Sequence, residues 1–433
     1  MQTSALTLVF AAALVAALLL RFYLATRQMR HVAEHRGRVP APFTEQVSLE
    51  AHQKAADYTL AKGRLSLFEI ALGGALLLVW TLLGGLDTLN QWLLGAVQAR
   101  WGNLAYQLAL LAAFAMIGGL LDLPLDLYRT FHVEQRFGFN RMTWRLYALD
   151  MLKGTLLGAL IGLPIAALIL GLMSATDGNW WVWAWGVWMA FNLLLLVLYP
   201  TVIAPLFNDF TPLADESLKA RVQALMAKCG FAAKGLFVMD GSKRSAHANA
   251  YFTGFGAAKR VVFFDTLLHK LNTEEVEAVL AHELGHFKHR HVLKRIAAMF
   301  AFSFAGFALL GWLASKSWFY TGLGVQPSTT AANDAAALLL FMLVAPTFGF
   351  FISPLMASLS RKHEFEADAY ACRQASGADL ARALLKLHED NAATLTPDPA
   401  YVRFYYSHPP AAQRIAAMVP PPPRGAGLSA EPV

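Results

Sequence analysis

The stretch AHELGHFKHRH, residues 281–291, holds two histidines and a glutamate at a spacing that can do chemistry. On a helix, His282 and His286 stand at i and i+4, on one face and one turn apart. Two imidazoles so placed can bind one tetrahedral zinc ion at about 2.0–2.1 Å each. Glu283, beside the first, can take a proton from a water that the metal activates. Gly285 between the histidines lets another segment come close to the helix. The residues just before supply a helix start: Asn272 or Thr273 as N-cap, with Glu275 and Glu277 in the first turns.

A tetrahedral site needs a third protein ligand. Position 292, where a metzincin-type chain carries its third histidine, is Val292. The chain has two cysteines, Cys229 and Cys372, too few for a thiolate site or a disulfide framework. They read as buried or interfacial small apolar residues. The remaining donors are carboxylates, and SRKHEFEADAYA (360–371) offers Glu364, Glu366 and Asp368. Glu364 and Asp368 share a helix face, while Glu366 points elsewhere. The pattern suits Glu364 as ligand, with Asp368 behind it accepting from a ligand imidazole. Spacing alone leaves a solvated acidic face open as the alternative. His289 and His291 read as polar residues of a helix end.

The elements that must position these residues lie mostly in lipid. The chain has 433 residues, 56% hydrophobic and only 15% charged, where a soluble protein carries about a quarter charged residues. Runs long enough to cross a ~30 Å hydrocarbon core occur about seven times. They cover 5–20, 65–83, 104–121, 154–172, 182–203, 296–314 and 335–355. Each must be a helix, because lipid offers no partner for free backbone groups. The first run lacks a basic leading segment and a small-residue cleavage site, so it reads as an anchor. Glu69, inside the second run, either lines an internal cavity or snorkels toward the membrane edge near Arg64.

Charge orients the spans. Arg100 and Lys316 are the only basic residues in 84–103, 173–181 and 315–334, and the runs themselves contain none. The other 34 of 36 fall in 21–64, 122–153, 204–295 and 356–433. Basic loops stay cytoplasmic, which puts the N-terminus outside and the C-terminus in the cytoplasm. Trp180, Trp181, Trp183, Trp185 and Trp188 open the fifth span as an aromatic belt at the outer interface would. The net charge of +7 therefore reflects membrane orientation and calls for no nucleic-acid partner.

The expected organisation has five parts. Residues 1–203 form an N-terminal region of five spans, and 204–295 a cytoplasmic catalytic subdomain. Residues 296–355 form two further spans, and 356–418 a cytoplasmic part with the third ligand. The Pro-rich 419–433 is expected to be disordered. Within the subdomain, NAYFTGFGAAKRVVFFDTLL reads as two short strands around a Gly-containing turn. An exposed strand edge there can hold an extended peptide by main-chain hydrogen bonds.

Six stretches in order carry a resemblance. They are HVEQRFGFN (132–140), YPTVIAPLFNDFTPL (199–213), DGSKRSAHANAYFTGFGAAKRVVFFDTLL (240–268), AHELGHFKHRH, SRKHEFEADAYA and YSHPPAAQRIAAM (406–418). The chain resembles the type-I CAAX prenyl protease family of membrane zinc metalloproteases. The resemblance implies an all-α polytopic membrane protein with about seven transmembrane helices, plus a cytoplasmic zincin-like α+β metalloprotease subdomain. It implies one zinc per chain, held by His282, His286 and Glu364, with Glu283 as general base. Asp368 would stand behind the ligands, His408 would donate to the developing oxyanion, and Arg414 would support that region. Asn249 and the NAYFTGFG stretch would border the substrate cleft.

Two other classes stand against this one. Shorter heat-shock metalloproteases of membrane quality control share the zinc motif, but lack the HVEQRFGFN and YPTVIAPLFN blocks. A transporter or scaffold with a relict metal site has no need of Glu283. The Ala-, Leu- and Trp-rich composition points to a bacterial inner membrane, as does the ending SAEPV, which lacks a basic endoplasmic-reticulum retrieval signal. Bacteria generally lack prenylated CAAX proteins of their own. The expected partners are thus a peptide or protein substrate, prenylated or not, and the lipid bilayer, with the chain as a monomer.

Overall fold

The computed structural model describes every residue except Met1, Asp177, 232–234, 254–259 and 419–433. The tail expected to be disordered and the turn at 254–259 thus lie outside the described residues. Among the described residues, seven helical units are long and apolar enough to cross a membrane; six contain their expected runs, and the second stops at Trp80, three residues short of the expected 65–83. The first two are α1 (Gln2–His35) and α2 (Leu49–Trp80). The third, Gly85–Phe137, combines α3 (Gly85–Leu93), α4 (Ala99–Tyr128) and the one-turn α5 (Gln135–Phe137). α6 (Trp144–Ala175) and α7 (Trp180–Leu198) complete the first five. The helices outrun the apolar windows because their polar ends keep the helical hydrogen bonds going beyond the hydrocarbon edge. Glu69 meets Arg129 in an ion pair, so α2 is tied to the end of the third unit.

Proline ends the fifth unit. Pro200 and Pro205 lack the N–H that a regular ladder needs, and the helix loosens over 199–206 before β1 (Phe210–Pro212). The catalytic subdomain follows as α8 (Glu216–Lys228), β2 (Gly235–Met239), β3 (Ala250–Thr253), β4 (Arg260–Phe264), α9 (Asp265–Leu268) and α10 (Thr273–Lys288). The strands form one sheet in the order β1-β2-β4-β3, with β2 and β4 parallel and the outer pairs antiparallel. The two-strand reading of 249–268 holds: Tyr251 faces Val262 in register, and β3 is an edge strand.

The chain then re-enters the apolar region as α11 (His291–Ala314), turns through α12 (Ser317–Gly322), and returns as α13 (Asp334–Gly349). α14 (Ser353–Gln374) continues the seventh span into the subdomain, followed by α15 (Gly377–Asp390), α16 (Pro399–Tyr405) and α17 (Ala411–Met418). One hydrophobic core joins both catalytic segments: Val222, Val261, Phe263, Leu280 and Leu284 pack with Tyr370, Ala371, Leu380 and Ala383. Both cysteines are partly buried against that core. A separate core, including Phe10, Leu110, Leu170, Leu323 and Leu340, ties the spans together.

The HVEQRFGFN block docks the subdomain onto the spans. Gly138, at φ 81°, takes the left-handed conformation that ends the helix. Phe139 and Asn140 then fold back to the Glu134 carbonyl. The Glu134 carboxylate accepts from Tyr58 at 2.6 Å and faces His247 at 3.4 Å. Phe139 stacks on His247 at 4.3 Å. Asn391 accepts from the Ala248 amide at 3.1 Å. Arg244 grips Asp150 of α6 with two bonds of 2.8 and 3.0 Å.

Candidate active site

α10 opens with a capping box. The Asn272 side chain accepts from the Glu275 amide at 2.8 Å, and the Glu275 carboxylate accepts from the Asn272 amide at 2.9 Å. Glu275 is buried and pairs with Lys386 of α15 at 2.7 Å, so the cap also anchors the helix. The helix then presents His282 and His286 toward α14. Gly285 lies at the crossing: a Cβ there would stand 2.9 Å from the Ala367 Cα and 3.0 Å from its carbonyl oxygen. Only a residue without a side chain permits so close an approach, as expected from its place in the motif.

The approach brings three donors together. His282 Nε2 and His286 Nε2 are 3.2 Å apart. Glu364 Oε2 lies 3.5 Å from the first, and Glu364 Oε1 lies 3.5 Å from the second. A tetrahedron with arms of about 2.0–2.1 Å has edges of roughly 3.3–3.4 Å. Each nearest approach is therefore of the size expected between zinc ligands, the two histidines meeting different oxygens of Glu364. One donor atom from each residue lies within 4.8 Å of the others. Glu364 Oε2 is buried and has no hydrogen-bond partner among the described residues. Arg414 Nη1 stands 3.8 Å away, within ion-pair range but beyond a hydrogen bond. A buried carboxylate oxygen without a direct bond is costly unless a cation completes it. The donor set of two imidazoles and one carboxylate fits zinc.

The surrounding groups orient these donors. His282 Nδ1 donates to Asp368 at 2.8 Å, which turns Nε2 into the triangle. Arg414, buried on α17, clamps Asp368 with two bonds of 2.8 and 2.6 Å. Burial opposes a charge on His282, but Asp368 and Glu364 outweigh it and hold the metal-free imidazole up at about 9. Burial and the neighbouring His282 push His286 down to about 3, leaving its ring neutral. Burial also raises the Glu283 carboxyl, opposed by His282 and reinforced by Glu364. A carboxyl shifted upward is a better proton acceptor near neutral pH.

His408 stands in the loop before α17, with Nε2 3.5 Å from Glu364 Oε1. Its Nδ1 contacts the Ser407 hydroxyl at 2.9 Å. Arg361 of α14 holds that loop by donating to the carbonyls of Val402 and Tyr406 at 3.1 and 2.8 Å. Asn249 is exposed at the start of β3, where its side chain accepts from the Ala250 amide at 2.8 Å. No described contact joins it to the donor triangle. The NAYFTGFG stretch is described only as far as Thr253.

His291 is a helix-end residue as read, the first of α11, but its contacts go further than that reading. It is buried at 1% exposure and touches His286, with 3.0 Å between the two Nδ1 atoms. Its Nε2 lies 2.9 Å from Glu366 Oε2. A regular helix would turn His291 well away from His286. Here Arg290, at φ 56°, breaks the helix and brings it back. Glu134, Tyr58 and His247 were likewise missed as structural links. For Glu134 and His247 the sequence signal was the motif blocks that hold them; Tyr58 lies in none of those blocks.

A helix bearing His-Glu-x-x-His, crossed by a carboxylate-bearing helix and mounted on seven apolar helices, defines a membrane metallopeptidase. Family models agree across nearly the whole chain: "CAAX prenyl protease N-terminal, five membrane helices" matches residues 28–209, and "Peptidase family M48" matches 212–420. The chain is 34% identical to CAAX prenyl protease 1 of Saccharomyces cerevisiae, covering 92% of this chain and 91% of the relative. It is 29% identical to the CAAX prenyl protease 1 homolog of Homo sapiens, over 92% and 91%. The crystal structure of S. mikatae Ste24p superposes with a TM-score of 0.88 at 31% identity, covering 96% of this chain and 99% of that one. The chain belongs to the CAAX prenyl protease family of M48 peptidases, and is an integral membrane metalloprotease.

Proposed function

We propose that this chain is a zinc endopeptidase that cleaves prenylated CAAX-type C-terminal peptides at the cytoplasmic face of a membrane. We further propose that it acts on unlipidated membrane-associated polypeptides. The observation that carries the reading is the convergence of His282, His286 and Glu364, whose nearest donor atoms approach pairwise to 3.2–3.5 Å, with Glu283 next in sequence to His282. When bound, zinc supplies Lewis acidity that polarises the scissile carbonyl and acidifies a water. Glu283 takes the water's proton and passes it to the leaving amine. His408 donates to the developing oxyanion from across the triangle. Asp368 and Arg414 keep His282 turned toward the reacting atoms. The open edge of β3, which follows Asn249, suits a substrate held in extended form.

The cytoplasmic side is inferred from the Lys and Arg distribution, and the N-terminus is then outside. The breadth of substrate is inferred from the bacterial cast of the composition, together with the CAAX names of the relatives. Trapping tests both substrate classes. Full-length Glu283→Gln protein is expressed in cells, and captured polypeptides are identified by mass spectrometry, alongside cleavage of a farnesylated CAAX peptide by the wild type. Cleavage of the peptide and capture of unlipidated membrane proteins are expected. Recovery of lipidated CAAX proteins alone would remove the broader role, and failure to cleave the peptide would remove the prenyl-peptide role.

A further inference from the structure

The two ligand imidazoles are supported unequally. His282 has a carboxylate directly on its Nδ1, Asp368 at 2.8 Å. His286 has none: its Nδ1 meets another nitrogen, His291 Nδ1, at 3.0 Å. Two ring nitrogens at that distance bond only if one carries hydrogen and the other does not. The carboxylate at the far side decides which. Glu366 Oε2 lies 2.9 Å from His291 Nε2, and an ionised carboxylate only accepts, so Nε2 carries the hydrogen. His291 Nδ1 is then a lone pair, His286 Nδ1 donates to it, and His286 Nε2 is left bare toward Glu364 and His282.

We propose that Glu366 and His291 form a two-step relay that positions the His286 imidazole, and so determines how long the metal stays bound. The inference rests on the reading of His282, His286 and Glu364 as the metal site.

Three further features support it. His291 is fully enclosed, and its ring stacks on His363 with centroids 4.0 Å apart and planes 15° apart, which leaves it little room to rotate. Arg290 takes a left-handed conformation, unusual for a residue with a side chain, and this turn returns His291 to His286. Lys362 lies 4.0 Å from the other Glu366 oxygen, consistent with an ionised carboxylate. The EFEAD segment would thus carry three acids with three duties: Glu364 as ligand, Asp368 behind His282, and Glu366 behind His286. His291, His363 and Glu366 also place donors within 4.8 Å of one another. Both His291 nitrogens are already engaged, however, which argues for a relay over a second metal site.

The test uses full-length protein in detergent, loaded with zinc. It measures zinc content, the half-time of zinc release to a chelator, and the visible absorption of the cobalt-substituted protein. His291→Leu removes the acceptor, and release should quicken about 10–100-fold, with a changed cobalt spectrum. His291→Asn keeps an oxygen near the Nδ1 position and should recover most of the wild-type half-time. Glu366→Ala should quicken release by a smaller factor, and it carries the test if His291→Leu fails to fold. Equal release from the Leu and Asn variants would reduce His291 to packing and overturn the relay. So would wild-type half-times in both His291→Leu and Glu366→Ala, or two zinc ions per wild-type chain with one lost on His291→Asn. A wild type that binds no zinc would instead overturn the metal-site reading beneath it.

Discussion

Glu283 is the one acid near the donor triangle that no described hydrogen bond engages, while Asp368 and Glu366 are both committed to histidines. A carboxylate without a structural duty is available to a water. Glu283→Gln should therefore keep zinc at one per chain while hydrolysis falls by at least about 10²-fold, the scale of general-base catalysis. His282→Ala and Glu364→Ala should lose the metal as well. Metal analysis beside a peptide-cleavage assay checks both, and near wild-type turnover in Glu283→Gln would remove the base assignment. His408 acts at a different stage. If it donates to the oxyanion, His408→Ala should lower kcat about 10²–10³-fold and leave KM nearly unchanged, because the bond forms in the transition state. Steady-state kinetics separate the two constants, and an unchanged kcat would make His408 a loop-holding residue. Part of this site was legible in the sequence: His282, Glu283 and His286 follow from helical spacing, while Glu364 and Asp368 were left open by spacing and named by the family resemblance. His291 was not, because helical spacing turns it away from His286, and only the Arg290 break reverses that.

The crossing of α10 and α14 is the element on which the site depends. Gly285 sits against the Ala367 backbone, which cannot yield as a flexible side chain would. Gly285→Ala should cost about 1–3 kcal/mol through overpacking. It should also weaken zinc binding, since pushing α14 away carries Glu364 from the histidines. Gly158 on α6 offers a control, because a Cβ there meets nothing within 4 Å. Gly158→Ala should be neutral or mildly stabilising. Thermal melting in detergent, with and without a chelator, distinguishes the two. A Gly285→Ala protein that melts and binds zinc like the wild type would show that the helices do not need this approach. The α10 cap was legible in the sequence because Asn272 and Glu275 are three residues apart. The crossing was legible only as a small residue in want of a neighbour.

At the scale of the molecule, the seventh helical unit does not end with its apolar run at 355 but continues to Gln374. It runs on as α14 and delivers Glu364 and Asp368 to the histidines, while α17 brings Arg414 to the same point. Orientation can be tested in a chain with Cys229 and Cys372 replaced by Ala. Lys316→Cys should react with a membrane-impermeant thiol reagent in intact cells. Lys243→Cys, in the catalytic subdomain, should react only after permeabilisation. The reverse pattern would overturn the charge-based topology. The sequence by itself determined the seven apolar helices, the asymmetry of Lys and Arg, the capped ligand helix and the acids of α14. Each of these rests on composition, length or spacing along one segment, where local physics suffices. Only the tertiary structure decided which acid faces which histidine, that Arg414 clamps Asp368, and that Glu134 and His247 join the subdomain to the spans. Those pairings join residues tens to more than a hundred positions apart. They depend on helix crossings, a left-handed turn and docked loops, which leave no periodic trace in the chain.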